Sequence, residues 1–123
     1  MMIKIAANVN IENYYKTKDL LLCPSCGNPN LHSENVTTFY RREDDEICLV
    51  TESDIKGPSS MSINRVAPDN PSTRRHGITI SFWCEHCRPA RDGLVHLKIA
   101  QHKGTSQIWW EFFEDEEDGE VIE

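Results

Sequence analysis

Two Cys-x2-Cys pairs, Cys23-Pro24-Ser25-Cys26 and Cys84-Glu85-His86-Cys87, stand 57 residues apart in a chain of 123. No other feature limits the possible folds as tightly. Two residues between thiolates let one tight turn aim both sulfurs at a common point, and two such turns complete a tetrahedron. Gly27 relieves the backbone just after the first pair, where positive φ is often needed. Strand-like sequence precedes the second pair and a turn follows it, as in a knuckle at the end of a β-hairpin. The pattern reads as one structural Zn2+ held by Cys23, Cys26, Cys84 and Cys87. Four thiolates leave no open position for water or substrate, so metal-assisted hydrolysis is not expected there. The competing reading is two unrelated thiol pairs or two redox-active motifs. The redox version expects a helix to begin at the motif, and neither pair is followed by a helical pattern. His86 lies inside the second pair and reads as exposed or hydrogen-bonding rather than as a ligand.

The length argues for one domain, small enough for a metal staple to be useful to its stability. Apolar residues make up 38% and charged residues 27%, and no apolar run approaches the roughly 18 residues of a membrane span. The start, MMIKIAANVN, lacks the long apolar core of a secretory signal. A cytoplasmic location is therefore expected, where thiols stay reduced and paired cysteines bind metal more often than they form disulfides. The net charge of −7 divides unevenly: eight acidic residues and no Lys or Arg follow from Glu111 onward, leaving 12 acidic and 13 basic residues in 1–110. A nearly neutral body, 1–113, thus carries an acidic tail, 114–123, read as a disordered solvating extension.

Alternation sets the fold class as mainly β. Met2–Ala6 reads as an edge strand and Leu20–Leu22 as the strand entering the first knuckle. Val36–Arg42 and Glu46–Thr51, β-branched and aromatic around Glu43-Asp44-Asp45, read as a hairpin. Residues 52–77 read mainly as a loop, with a short strand at Met61–Val66. Ile78–Cys84 alternates, Ile78, Ile80 and Phe82 against Thr79, Ser81 and Trp83. Leu94–Ala100 repeats the pattern, and Gln107–Phe113 follows a turn at Lys103-Gly104. The expected architecture is an antiparallel zinc-ribbon-like domain with a long insertion, 28–77, between its two knuckles.

Beyond the metal site, Cys48 reads as a small buried residue on one face with Val50. Arg41, Arg42, Arg74, Arg75 and His76 gather in the insertion, where guanidinium groups suit phosphate or carboxylate. The alternative is a solvated face whose arginines pair with nearby Asp and Glu. Trp109 and Trp110 are consecutive, so in a strand they face opposite ways: one fills the core and the other is covered or open to a partner. These seven residues, Arg41, Arg42, Arg74, Arg75, His76, Trp109 and Trp110, form the candidate macromolecule-binding surface.

The Cys-Pro-x-Cys-Gly start, Asn70–Gly77, Phe82–Cys87 and Ile99–Gly104 together resemble small proteins of unknown function found in bacteria and their phages or prophages. The resemblance covers roughly residues 20–113 and implies zinc binding and a mobile-element context, with no activity to carry over. The leading expectation is a non-enzymatic module with a macromolecular partner. A protein is favoured over nucleic acid because a near-neutral body gives little phosphate neutralisation. Neither a membrane nor a small-molecule substrate is expected. A nucleic-acid-binding ribbon using the arginines and aromatics is the first alternative. A nuclease or hydrolase with a second site around His76, His96 or His102 is the other.

Overall fold

The computed structural model describes residues 2–56 and 60–115, and every helix-or-strand element among them is a β-strand. In chain order these are β1 (Met2–Ala7), β2 (Ile11–Tyr15), β3 (Lys18–Leu21), β4 (Leu31–Tyr40), β5 (Cys48–Asp54), β6 (Ser60–Arg65), β7 (Gly77–Cys84), β8 (Leu94–His102) and β9 (Thr105–Asp115). Seven form one antiparallel sheet in the order β1-β9-β8-β7-β4-β5-β6, and β2 with β3 makes a separate hairpin. The mainly β, antiparallel, zinc-ribbon-like class is the one observed. No helix among the described residues is long and apolar enough to cross a membrane.

Local chemistry explains most of the reversals. Lys103 and Gly104 both have positive φ, 48° and 84°, between the paired residues His102 and Thr105. Two such central residues match the right-handed twist of the flanking strands. Met2 to Ala7 pairs with Trp110 to Asp115, so β1 forms one edge of the sheet, as its sequence implied. That pairing carries β9 through Glu114 and Asp115, two residues past the expected end of the domain. The rest of the acidic tail lies outside the described residues.

Two cores sit on opposite faces of the sheet. On one, Val95, Leu97, Trp110 and Phe112 join Cys23 and Cys84, with Ile5, Val9, Leu21, Ile80 and Phe82 packed around them. From the β2–β3 hairpin and its flanks only Val9 and Leu21 pack on this face beside the knuckles, while β2 is exposed along its whole length. On the other, Phe39, Cys48 and Val50 are buried with Ala67 against them. Cys48 is 2% exposed and receives a hydrogen bond from Asn70 Nδ2 at 3.7 Å.

The alternation of β7 holds, but its polar side is not a solvent side: Thr79 and Ser81 are both buried. β7 is the middle strand of seven, and its polar side is the more enclosed one, since Ile78, Ile80 and Phe82 on the other side are only half-buried. Residues 67–76, expected as open loop, fold over that second face and are pinned there. Ser72 Oγ donates to the Gln101 carbonyl at 2.9 Å, Asn70 Nδ2 donates to the Arg75 carbonyl at 2.9 Å, and Arg75 N donates to Ser72 Oγ at 2.9 Å. Gly77 is required by this approach, since a Cβ there would lie 2.8 Å from the Pro71 ring and closer still to Asn70 Oδ1. Asn70 and Ser72 are thus structural anchors that composition alone did not single out.

Candidate metal centre

The first knuckle begins where β3 ends. Cys23 N donates to the Asn28 carbonyl at 2.9 Å, Gly27 N donates to the Cys23 carbonyl at 2.8 Å, and Gly27 has φ of 82°. The second knuckle caps β7, where His86 N donates to Cys84 Sγ at 3.4 Å. The start of β4 ties the two together, because Leu31 pairs with Cys84 and Glu85 N donates to the Asn30 carbonyl at 3.1 Å. His32 stacks on Trp83 with centroids 4.2 Å apart and also meets the Glu85 carboxylate. His86 is exposed, with Nε2 3.1 Å from Asn30 Nδ2, and is not part of the sulfur cluster.

Four sulfurs converge at this point. The Sγ atoms of Cys23, Cys26, Cys84 and Cys87 all lie within 4.8 Å of one another. Cys23 and Cys87 are 3.6 Å apart, Cys26 and Cys84 3.5 Å. A disulfide needs about 2.05 Å. A tetrahedral ion with sulfur ligands at about 2.3 Å needs sulfur–sulfur edges of about 3.8 Å. The observed separations match the second requirement, so the group can hold one metal ion. Burial pushes the Cys23 thiol up, and burial with the surrounding sulfurs of Cys23, Cys26 and Cys84 pushes Cys87 up strongly. Burial alone would push Cys84 up too, but hydrogen bonds from the His86 backbone and the neighbouring sulfurs outweigh it and hold Cys84 low. A thiolate favoured at Cys84 beside thiols held neutral at Cys23 and Cys87 is a charge imbalance that a divalent cation would relieve. Among the described residues this is the one cluster of three or more His, Cys, Asp or Glu side chains placed to share an ion.

The predicted binding surface is only partly brought together. Arg41, Arg42, Arg75 and His76 line a groove of about 670 Å³ at the end of the sheet away from the knuckles, with Tyr40, Ile47 and Leu49. His76 stacks on Tyr40 at 4.1 Å and accepts a hydrogen bond from Arg41 N at 2.8 Å, so it braces the wall. Arg41 is committed to the carbonyls of Asp45 and Thr73. Arg75 pairs with Glu43 at 3.0 Å, and Arg74 pairs with both Asp44, at 2.7 Å, and Glu43, at 3.1 Å. The hydrogen bond and charge of Arg74 hold Asp44 below the usual carboxylate range. Arg74 therefore does not line the groove and is held in an ion-pair network that it shares with Arg75 through Glu43. Arg42 is exposed and, among the described residues, makes no ion pair.

The tryptophans separate as strand geometry requires. Trp110 is 0% exposed and lies in the core edge-on to Phe82, so it offers nothing to a partner and leaves the candidate surface. Trp109 lines a second groove of about 670 Å³ with Lys98, Glu111 and Pro68–Pro71. Its Nε1 donates to Glu111 Oε2 at 2.9 Å. Burial alone would push Glu111 up, but that hydrogen bond and the charges of Lys98 and Lys4 outweigh it and hold Glu111 low. A carboxylate depressed in this way adds stability that is full above its unfolded pKa and is lost as the pH falls through its folded value. Glu111→Gln is therefore expected to lower the melting temperature near pH 7 and to converge with the parent protein as the pH falls below the usual carboxylate range. A difference that stays constant across that range would remove Glu111 from the acid response.

His96, one of the histidines considered for a second site, sits in a cluster whose other members the sequence did not indicate. His96 Nδ1 lies 2.7 Å from Ser81 Oγ, and His96 Nε2 lies 2.9 Å from Asp92 Oδ2. Ser81 is 6% exposed in the middle of the central strand, directly opposite His96. A nucleophile must reach its substrate, and this hydroxyl is enclosed. The arrangement ties β7 and β8 to the turn that follows the second knuckle. No family model, no curated protein and no solved structure matches the chain.

Proposed function

We propose that the protein is a non-enzymatic, zinc-stapled interaction module whose working surface is the Tyr40–Arg42–Leu49 groove and whose partner is a protein. The observation that carries this reading is the division of labour along the sheet. The four sulfurs close a site at one end, while the groove at the other end exposes Tyr40 by 65%, Ile47 by 48% and Leu49 by 40% beside Arg42, which makes no ion pair among the described residues. Aromatic, aliphatic and Arg side chains in one concave surface are the composition of a protein-binding hot spot. Zinc is favoured as the ion because a tetrahedral all-thiolate site selects zinc or iron, and zinc is the usual structural choice. A cytoplasmic accessory role in a phage or prophage setting fits the resemblance of the sequence and belongs to the same proposal.

Nucleic acid is the second reading, favoured by the guanidinium groups. Against it, Arg41, Arg42, Arg74 and Arg75 stand beside Glu43, Asp44, Asp45 and Glu46, and the ion pairs described above consume most of the positive field. Selection of a displayed peptide library on the zinc-loaded protein tests the proposal. Recovered peptides are expected to lose at least about tenfold in affinity for Tyr40→Ala or Leu49→Asp, the loss typical of a hot spot. Failure to recover peptides, together with oligonucleotide binding that weakens with salt and with Arg42→Ala, would replace it by the nucleic-acid reading.

A further inference from the structure

Among the described residues, the seven-stranded sheet ends in two strands with no further neighbour, β1 and β6. An open edge presents unpaired backbone donors and acceptors, and proteins blunt such edges with charge, proline or a cover. β1 is blunted, since Lys4 stands in its middle with Nζ 3.5 Å from Glu111 Oε1. β6 is not. Its residues 60–64, Ser-Met-Ser-Ile-Asn, include neither a charge nor a proline. Arg65 at its end is turned onto Asp69 by two hydrogen bonds of 3.1 Å. Met61 and Ile63 are 55% and 41% exposed on one face of the strand.

We propose that β6 pairs antiparallel with β6 of a second copy of this chain, about a two-fold axis passing through Ser62. Register follows from parity. For one continuous sheet, residues that face each other must lie on the same side, so paired positions differ by an even number. Centring on Ser62 places Met61 against Ile63 of the second copy, twice over, and Ser62 against itself. Every pair within residues 60–64 in that register is uncharged, and the two apolar residues of the strand cover each other. Pairing of β6 onto the Lys4-bearing edge of another copy would instead be head-to-tail and would build open filaments, whereas the two-fold arrangement closes. The strand is six residues long, well short of the roughly 1,200 Å² of a standard interface, so the dimer is concentration-dependent rather than obligate. The axis keeps the Leu49 side of both sheets facing the same way, which sets two grooves side by side on one surface.

A charge swap at the axis tests both the pairing and its register. In sedimentation experiments on the full, zinc-loaded chain, the unaltered protein is expected to dimerise in the micromolar-to-submillimolar range. Ser62→Lys alone and Ser62→Glu alone should each weaken association about fivefold or more, because like charges then face each other directly. An equimolar mixture of the two should restore dimers. Ile3→Lys on the β1 edge should leave association unchanged. Circular dichroism and zinc content of each variant show that the fold is intact. A monomeric parent protein at submillimolar concentration, or single variants that dimerise as well as the parent, would overturn the pairing. A mixture that fails to recover would overturn the register and with it the proposal. Asn64 both lines the groove and belongs to β6, but Tyr40 and Leu49 lie outside β6, so peptide binding and dimerisation can fail separately.

Discussion

Cys84→Ser is expected to leave a chain that retains little zinc and has lost its cooperative unfolding transition. Cys84 belongs at once to the sulfur cluster and to the buried core beside Val95 and Trp110. Metal binding at structural thiolate sites contributes on the order of 10–16 kcal/mol near neutral pH. That is as large as the whole stability of a typical small domain, about 5–15 kcal/mol. Chelation of the intact protein should have the same effect as the substitution. Cys26 is exposed, so Cys26→Ser disturbs no packing and should be the mildest of the four serine variants. Elemental analysis of protein purified without added zinc, read beside urea titrations followed by circular dichroism, checks both points. Retention of the parent midpoint by Cys84→Ser would sink the idea that the ion clasps the fold. So would a Cys23–Cys26 disulfide in place of bound metal. Iron in place of zinc would correct the metal while leaving the clasp.

The second large effect is expected at Trp110. Truncation to alanine empties a fully enclosed site and should cost about 3–5 kcal/mol. For a domain of this size that is a fall in melting temperature on the order of 10–30 °C. Trp110→Phe should cost clearly less. It keeps most of the ring packing against Phe82, and the indole Nε1 it removes is buried without a hydrogen-bond partner among the described residues. Losing an unsatisfied donor carries no hydrogen-bond penalty. Trp109→Ala, on the half-buried opposite face, provides the comparison. Melting temperatures of the three zinc-loaded variants decide the matter, and equal losses for Trp109→Ala and Trp110→Ala would contradict the placement of the core.

The four ligands and most strands were legible because their signals are local. Cys-x2-Cys spacing encodes a turn, and period-two alternation encodes a strand, whatever lies elsewhere in the chain. β6 was legible for the same reason, although it sits among turn-forming residues. The partner of each side chain was not legible. Arg74 and Arg42 are the same residue type in the same insertion, yet one is bound to Asp44 and Glu43 while the other is exposed and unpaired among the described residues. Asn70 and Ser72 read as ordinary loop residues, and only the packing of their segment against Gly77 and Gln101 makes them anchors. The buried Ser81 and Thr79 mislead a reading by alternation, since a polar residue on a central strand faces a second covered side rather than water.

By itself, the sequence determined that Cys23, Cys26, Cys84 and Cys87 can meet around one ion, because each pair is preset by its own two-residue turn. It also determined a mainly β chain with a neutral body. The tertiary structure alone decided that Trp110 is core, that Trp109 lines one groove while Arg41, Arg42 and Arg75 line another, and that, among the described residues, one sheet edge carries a charge while the other carries none before Arg65. The physical reason is sequence separation. β4 and β7 pair residues more than 35 positions apart, and such contacts are fixed by the combined packing of the whole sheet rather than by any local pattern.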